Sequence, residues 1–218
     1  MLIANVSARG ASGKTTDTGF MGHAFHEVGY PVKLHDADQS KHLGQWNRFA
    51  GGFPMPVAED RGSSRFHEQY EPLPHPAVEI VDVGQAEDFP EIVDSVLLVA
   101  DLVVVHMEPS ASDFQRITVP DKSTPLKRVI ARSALDRPDG QAPPHVVLFN
   151  RTRPNVKSTK TYRANMTKLG WNVLTVTIPN TDSLKQATYF AVEGAAKTKF
   201  GELVTELQTR GLVHDAEA

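Results

Sequence analysis

The 218-residue sequence contains no cysteine. That absence excludes a disulfide framework, a thiolate-bound zinc or iron–sulfur centre and a cysteine nucleophile, and it points to a reducing compartment. No apolar run approaches the roughly 18 residues that a membrane helix needs. The first residues lack the basic, apolar and small-residue zones of a secretory signal. A cytoplasmic protein without a membrane anchor is therefore expected. Charge of one sign is also missing locally. Between residues 66 and 115 there are eleven acidic residues and no Lys or Arg, whereas 140–181 holds six basic residues and no acid. A net charge of −3 thus hides two oppositely charged segments, one of them suited to a polyanion.

What is present is an alternation. Short apolar runs at 2–7, 32–35, 78–83, 102–107, 145–149 and 172–177 are predicted as strands. Longer patterns at 15–28, 88–100, 157–169, 184–191 and 195–210 are predicted as helices. Strand–helix repetition implies an α/β fold with a mostly parallel sheet covered on both faces, and 218 residues suit one domain. The run DLVVVHM has the β-branched richness of a central parallel strand. Phe200, Leu203, Val204 and Leu207 recur at helical spacing and read as core packing. The irregular stretch 39–76 is expected to hold short helices and loops. His23, His26, His35, His42, His67 and His75 have no recognisable metal-ligand spacing and read as surface or core residues.

The chemistry concentrates in VSARGASGKTTDTG, residues 6–19. A strand runs into glycines and then a helix, so backbone N–H groups and the positive helix end converge on one spot. Gly10, Ala11, Ser12 and Gly13 would cradle phosphates, with Lys14 reaching the β- and γ-phosphates. The Thr15 hydroxyl would serve Mg²⁺ and Thr16 the α-phosphate. The strict pattern G-x-x-x-x-G-K-[ST] fails at Ala8. The string actually present, RGASGKTT, resembles the deviant Walker A box K-G-G-x-G-K-[ST]-[ST] of the ParA/MinD family of dimeric ATPases. Arg9 stands where that family has its signature lysine, and Ala11 replaces the second glycine. The resemblance implies that Arg9 crosses a two-fold dimer to the partner's nucleotide, a task a permanently charged guanidinium can perform in the manner of an arginine finger.

The resemblance extends over nearly the whole chain. HDADQS is similar to the family's D-x-D-P-Q box, which would place Asp36 near the phosphates and make Asp38 the residue that orients the attacking water. AVEIVDVG is similar to a Walker B strand, giving Asp82 a Mg²⁺ role and Gly84 a γ-phosphate-sensing N–H. ADLVVVHMEPSASD is similar to the strand and Pro-Ser-x-x-Asp turn, at Pro109, Ser110 and Asp113. VVLFNRTRP and TVTIPNTDSLKQA are similar to the segments that form the family's adenine pocket, which implies roles for Asn150, Arg151, Ile178, Pro179 and Asn180. The cofactors implied are ATP/ADP and Mg²⁺.

Among the branches, cluster cysteines are absent, the chain ends LVHDAEA where MinD-like members carry a basic amphipathic helix, and the first strand begins at Leu2, with no helix-turn-helix before it. The sequence is most similar to the short plasmid partition ATPases: a bare ATPase domain that forms a homodimer on ATP, binds DNA without sequence preference and is stimulated by a small centromere-binding partner. It would lie in the cytoplasm, on the nucleoid if it binds DNA. Lys185, Lys197 and Lys199 extend the acid-free segment as the expected DNA face. The alternatives are a family member that positions a protein cargo, a small-molecule ligase of the dethiobiotin synthetase type, or a scaffold that binds nucleotide without turnover.

Overall fold

The computed structural model describes residues 1–10, 12–59, 64–120 and 123–216. The seven strands among the described residues are β1 Leu2–Val6, β2 Val32–Asp36, β3 Val57–Ala58, β4 Val78–Asp82, β5 Leu102–Met107, β6 His145–Thr152 and β7 Val173–Pro179. The helices among the described residues are α1 Lys14–Glu27, α2 His42–Phe49, α3 Phe66–Gln69, α4 Pro90–Leu97, α5 Ala111–Thr118, α6 Leu126–Arg132, α7 Lys157–Lys168, α8 Asp182–Gln186 and α9 Lys199–Thr209. The strands form one parallel sheet in the order β3-β2-β4-β1-β5-β6-β7. The chain leaves central β1 toward β2 and β4, then crosses to β5 on its other side. Strand order therefore reverses at β1, and the loops at its carboxyl end open into the crevice where parallel sheets bind ligands.

Alternate residues of each central strand feed two cores, as a sheet buried on both faces requires. Ile3, Val104 and Leu148 pack with α1, α2 and α9, whereas Ala4, Val103, Val105 and Val147 pack with α4, α6 and α7. The predicted stripe of Phe200, Leu203, Val204 and Leu207 lies wholly in the first core. Close approach of α1 to α2 needs Gly19, because a Cβ there would collide with the Trp46 ring.

The six predicted strands agree with β1, β2, β4, β5, β6 and β7 to within a few residues, β6 and β7 running on to Thr152 and Pro179, whereas β3 was not predicted. Three predicted helices are shorter: α4 begins at Pro90 and ends at Leu97, α8 has five residues, and the last pattern breaks at Thr198. Thr198 interrupts by capping α9, its hydroxyl accepting from Phe200 N. The stretch 39–76 holds α2, α3 and β3. Helices α5 and α6 were not expected.

The outer edge of β7 is blocked by side chains. Glu206 of α9 accepts from the N–H groups of Thr175 and Val176, at 2.7 and 2.8 Å, while Arg163 donates to the carbonyls of Leu174 and Thr175 and Arg210 to that of Val173. An exposed strand edge is a template for foreign strands, and these charges close it.

Candidate functional site

Helix α1 starts at Lys14 directly after Gly13, whose φ of 90° only glycine adopts without strain. No side chain caps the helix, so its first N–H groups stay available to an anion. Lys14 is buried, and its ammonium donates to Ser7 Oγ at 2.8 Å, which in turn donates to the Arg9 carbonyl at 2.7 Å. Burial pushes the Lys14 pKa down, opposed by the charges of Asp82, Asp38 and Asp17.

Asp82 ends β4 beside this lysine. Both of its carboxylate oxygens are buried without a hydrogen-bond partner. Burial raises its pKa to about 7; Lys14 opposes the rise, as does the nearby Thr15 hydroxyl without completing a regular hydrogen bond. A buried carboxylate with two orphaned oxygens next to a threonine hydroxyl is a donor set that suits a hard divalent cation. Asp36 ends β2, but its carboxylate is turned to α2, accepting from Gly44 N at 2.9 Å. Asp38 is half-buried on the next turn. Its Oδ1 accepts from the Ser40 N–H and hydroxyl at 2.8 and 2.7 Å. Lys14, Thr15, Thr16 and Asp38 share one cleft of about 610 Å³, with Gly10, Ser12 and Gly13 in its wall and Phe49 and Tyr189 also lining it.

A second cavity of about 250 Å³ adjoins Gly13 and Thr16 and is lined by Asn150, Arg151, Pro179 and Asn180. Four of the five residues expected in the base pocket are thus brought together. Ile178 is not among them. It is 1% exposed and packs in the core, because alternation along β7 turns it inward while Pro179 reaches the cavity. Asn150 lines the cavity, yet its amide is directed at the loop: Nδ2 donates to Ser12 O and to Asp17 Oδ2, both at 2.7 Å. Asp17 in turn meets His106, neither of which the sequence reading singled out. A polar residue following the two hydroxyls, facing a histidine inside an apolar strand, was the available signal.

Arg9 lies on its own chain, where its Nε donates to Asp113 and its Nη2 to Glu108 at 3.2 Å. The hydrogen bond it donates to Asp113, with the charges of both carboxylates adding, raises its pKa. Lys185 pairs with Asp182 at 3.3 Å and Lys199 with Glu202 at 2.6 Å, and Lys197 is exposed. Gly84 is buried, and a Cβ on it would fall 2.9 Å from the Phe89 ring. Ala11 lies outside the described residues. His23 and His35 are core residues, bonded to Gly19 O and Glu79.

Seven parallel strands, helices on both faces and a glycine loop between β1 and α1 define an α/β fold of the P-loop NTPase class. No family model and no curated protein matches the sequence. Solved structures do match. The Cyanothece McdA(D38A)–ATP complex aligns with a TM-score of 0.70 at 14% identity, covering 98% of this chain and 97% of that one. A plasmid partition protein of Borrelia burgdorferi bound to AMPPNP gives 0.67 at 12% identity, covering 96% and 98%. The septum site-determining protein MinD of Pyrococcus horikoshii, complexed with Mg-ADP, gives 0.63 at 17%, covering 96% and 95%. The described residues have the ParA/MinD fold.

Proposed function

We propose that the chain is a single-domain, Mg²⁺-dependent ParA-type ATPase that converts ATP to ADP and phosphate, forms a two-fold dimer on ATP and partitions DNA. Its dimer would bind duplex without sequence preference, placing it on the nucleoid, and a small centromere-binding protein would stimulate turnover. The observation that carries the nucleotide chemistry is the buried Lys14 ammonium beside the partnerless carboxylate of Asp82 at an uncapped helix start. Structural neighbours described with ATP, AMPPNP and Mg-ADP support the same ligands here.

In this reading Lys14 binds the β- and γ-phosphates, and Thr15 and Asp82 would hold Mg²⁺. When bound, the cation neutralises charge on the phosphate oxygens. Asp38, its Oδ1 fixed by Ser40, orients the attacking water. Arg151, Pro179 and Asn180 border the base. DNA binding rests on Arg153, Lys157, Lys160 and Lys168, which are exposed, on or beside α7, and form no ion pair among the described residues. The pairing of Lys185 and Lys199 within their own helices favours, as a second reading, a protein cargo.

The test is calorimetry with Mg-ATP followed by phosphate release. Lys14→Ala should abolish binding, and Asp38→Ala should bind like the parent without turnover. Unchanged affinity in Lys14→Ala removes the assignment of the loop, and normal hydrolysis by Asp38→Ala removes Asp38 from the mechanism.

A further inference from the structure

We propose that His106, Asp17 and Asn150 form a buried clamp that sets the phosphate loop, so that Asn150 and the pair behind it are positioning residues for phosphates and not readers of the base. Three distant segments converge here: His106 on β5, Asp17 in α1 and Asn150 near the end of β6. Asp17 Oδ2 accepts from His106 Nδ1 at 2.8 Å and from Asn150 Nδ2 at 2.7 Å. A carboxylate oxygen only accepts, so with Asp17 ionised the ring nitrogen facing it carries the proton. The second amide hydrogen of Asn150 goes to Ser12 O at 2.7 Å, and its Oδ1 accepts from Arg151 N at 2.8 Å. Both hydrogens of the amide are therefore committed before any ligand arrives.

The clamp acts where the loop is most demanding. Gly13 has φ 90°, and a Cβ on it would fall 2.5 Å from Asn150 Nδ2, so the amide fills the place a side chain would take. Holding the Ser12 carbonyl fixes the peptide that leads into this left-handed residue, and with it the direction of the first α1 N–H groups. All three polar side chains are buried, at 1%, 1% and 2% exposure for Asp17, His106 and Asn150. His106 Nε2 is buried without a partner, an unfavourable arrangement for a ring whose use lies in its other nitrogen. An apolar residue would suit β5 better if the pair did nothing for the loop.

The ligand side of this inference rests on the nucleotide reading above, whereas the clamp itself does not. The experiment has two arms. In the first, ATP, GTP and inorganic tripolyphosphate are titrated into the parent, Asn150→Ala, His106→Leu and His106→Asn. The first two variants should lose affinity for all three ligands by the same factor, about tenfold for one displaced loop hydrogen bond. His106→Asn, whose amide nitrogen takes the place of Nδ1, should recover it. Loss confined to ATP, with tripolyphosphate unchanged, would make Asn150 a base reader and overturn the proposal. In the second arm, amide hydrogen exchange is followed in peptides spanning 12–18 of the nucleotide-free protein. Faster exchange in His106→Leu and Asn150→Ala, with parental exchange in His106→Asn, supports the clamp; unchanged exchange overturns it. If the parent binds none of the three ligands, the nucleotide reading falls while the exchange arm still decides the clamp. If His106→Leu fails to fold, Asn150→Ala carries both arms.

Discussion

Arg9 sits with its guanidinium between Asp113 and Glu108, about a third exposed, so its charge is already answered within the chain. For it to reach a partner's nucleotide, as the proposed dimer requires, those two bonds must first open. Asp113→Asn weakens the stronger of them while keeping the side chain's shape. Basal hydrolysis, measured by phosphate release, should then rise a few-fold, since less energy opposes release of the arginine. Arg9→Ala should cripple turnover and Arg9→Lys retain much of it. Arg9→Ala with parental turnover would leave the arginine a structural tie only. Glu79 gives a prediction of another kind. Burial pushes its pKa up, but His35 Nε2 at 2.9 Å, the Leu73 N–H at 2.8 Å and the Tyr70 hydroxyl at 2.8 Å bring it below the ordinary 4.5. A depressed carboxylate pKa adds stability that is present above the unfolded value and lost as pH falls through the folded one. Urea midpoints should therefore fall below pH 4.5, and Glu79→Gln should flatten that part of the profile. Residue types in the loop were legible because phosphate chemistry restricts them: Lys14, Thr15 and Asp38 line one cleft, and Asp82 is buried beside Lys14. The destination of Arg9 and of the Asn150 amide was not, because both are decided by carboxylates far away in sequence.

At the scale of elements, the parallel strands were readable because burial on both faces leaves unbroken apolar runs, and α1, α7 and α9 because they are long. Helices α5 and α6 have eight and seven residues, too few for a periodic signal to stand out. The Ser110 cap, which accepts from Asp113 N at 3.2 Å, was the one local cue to α5. Two element-level predictions follow from contacts already described. Gly19→Ala places a methyl into the Trp46 ring and should cost about 1–3 kcal/mol by overpacking, read as a lower urea midpoint; a parental midpoint would mean α1 and α2 separate freely. Glu206→Ala strips the Thr175 and Val176 N–H groups of their acceptor and reopens the β7 edge. Light scattering during incubation near the melting temperature should show earlier aggregation than in Glu202→Ala, which lies on the same helix but touches no strand backbone. Equal onset in the two variants would show that the edge is protected by something other than this carboxylate.

For the whole molecule, the segregation of charge along the sequence becomes a question of faces. The six basic residues of 140–181 do not act alike in the fold, since Arg163 is turned onto the β7 carbonyls and Arg151 toward the nucleotide clefts. The remaining four, Arg153, Lys157, Lys160 and Lys168, form the candidate DNA surface, displaced from Lys185, Lys197 and Lys199, which the sequence favoured. A dimer formed on ATP would double these contacts on one assembly, converting a weak monomer site into a useful one. Binding to random duplex should then require ATP and fall steeply with salt, roughly as the 0.9Z power for Z neutralised phosphates. Filter binding across a salt series, with ATP or ADP, reads both properties. Lys157→Glu with Lys160→Glu should weaken binding and lower the salt slope, whereas Lys185→Glu, whose partner is Asp182, should have a smaller effect. The Asp38→Ala protein should give the strongest binding, because unhydrolysed ATP holds the dimer. If it dimerises on ATP by light scattering and yet retains no duplex at low salt, DNA is not the cargo, and the protein-positioning reading takes its place.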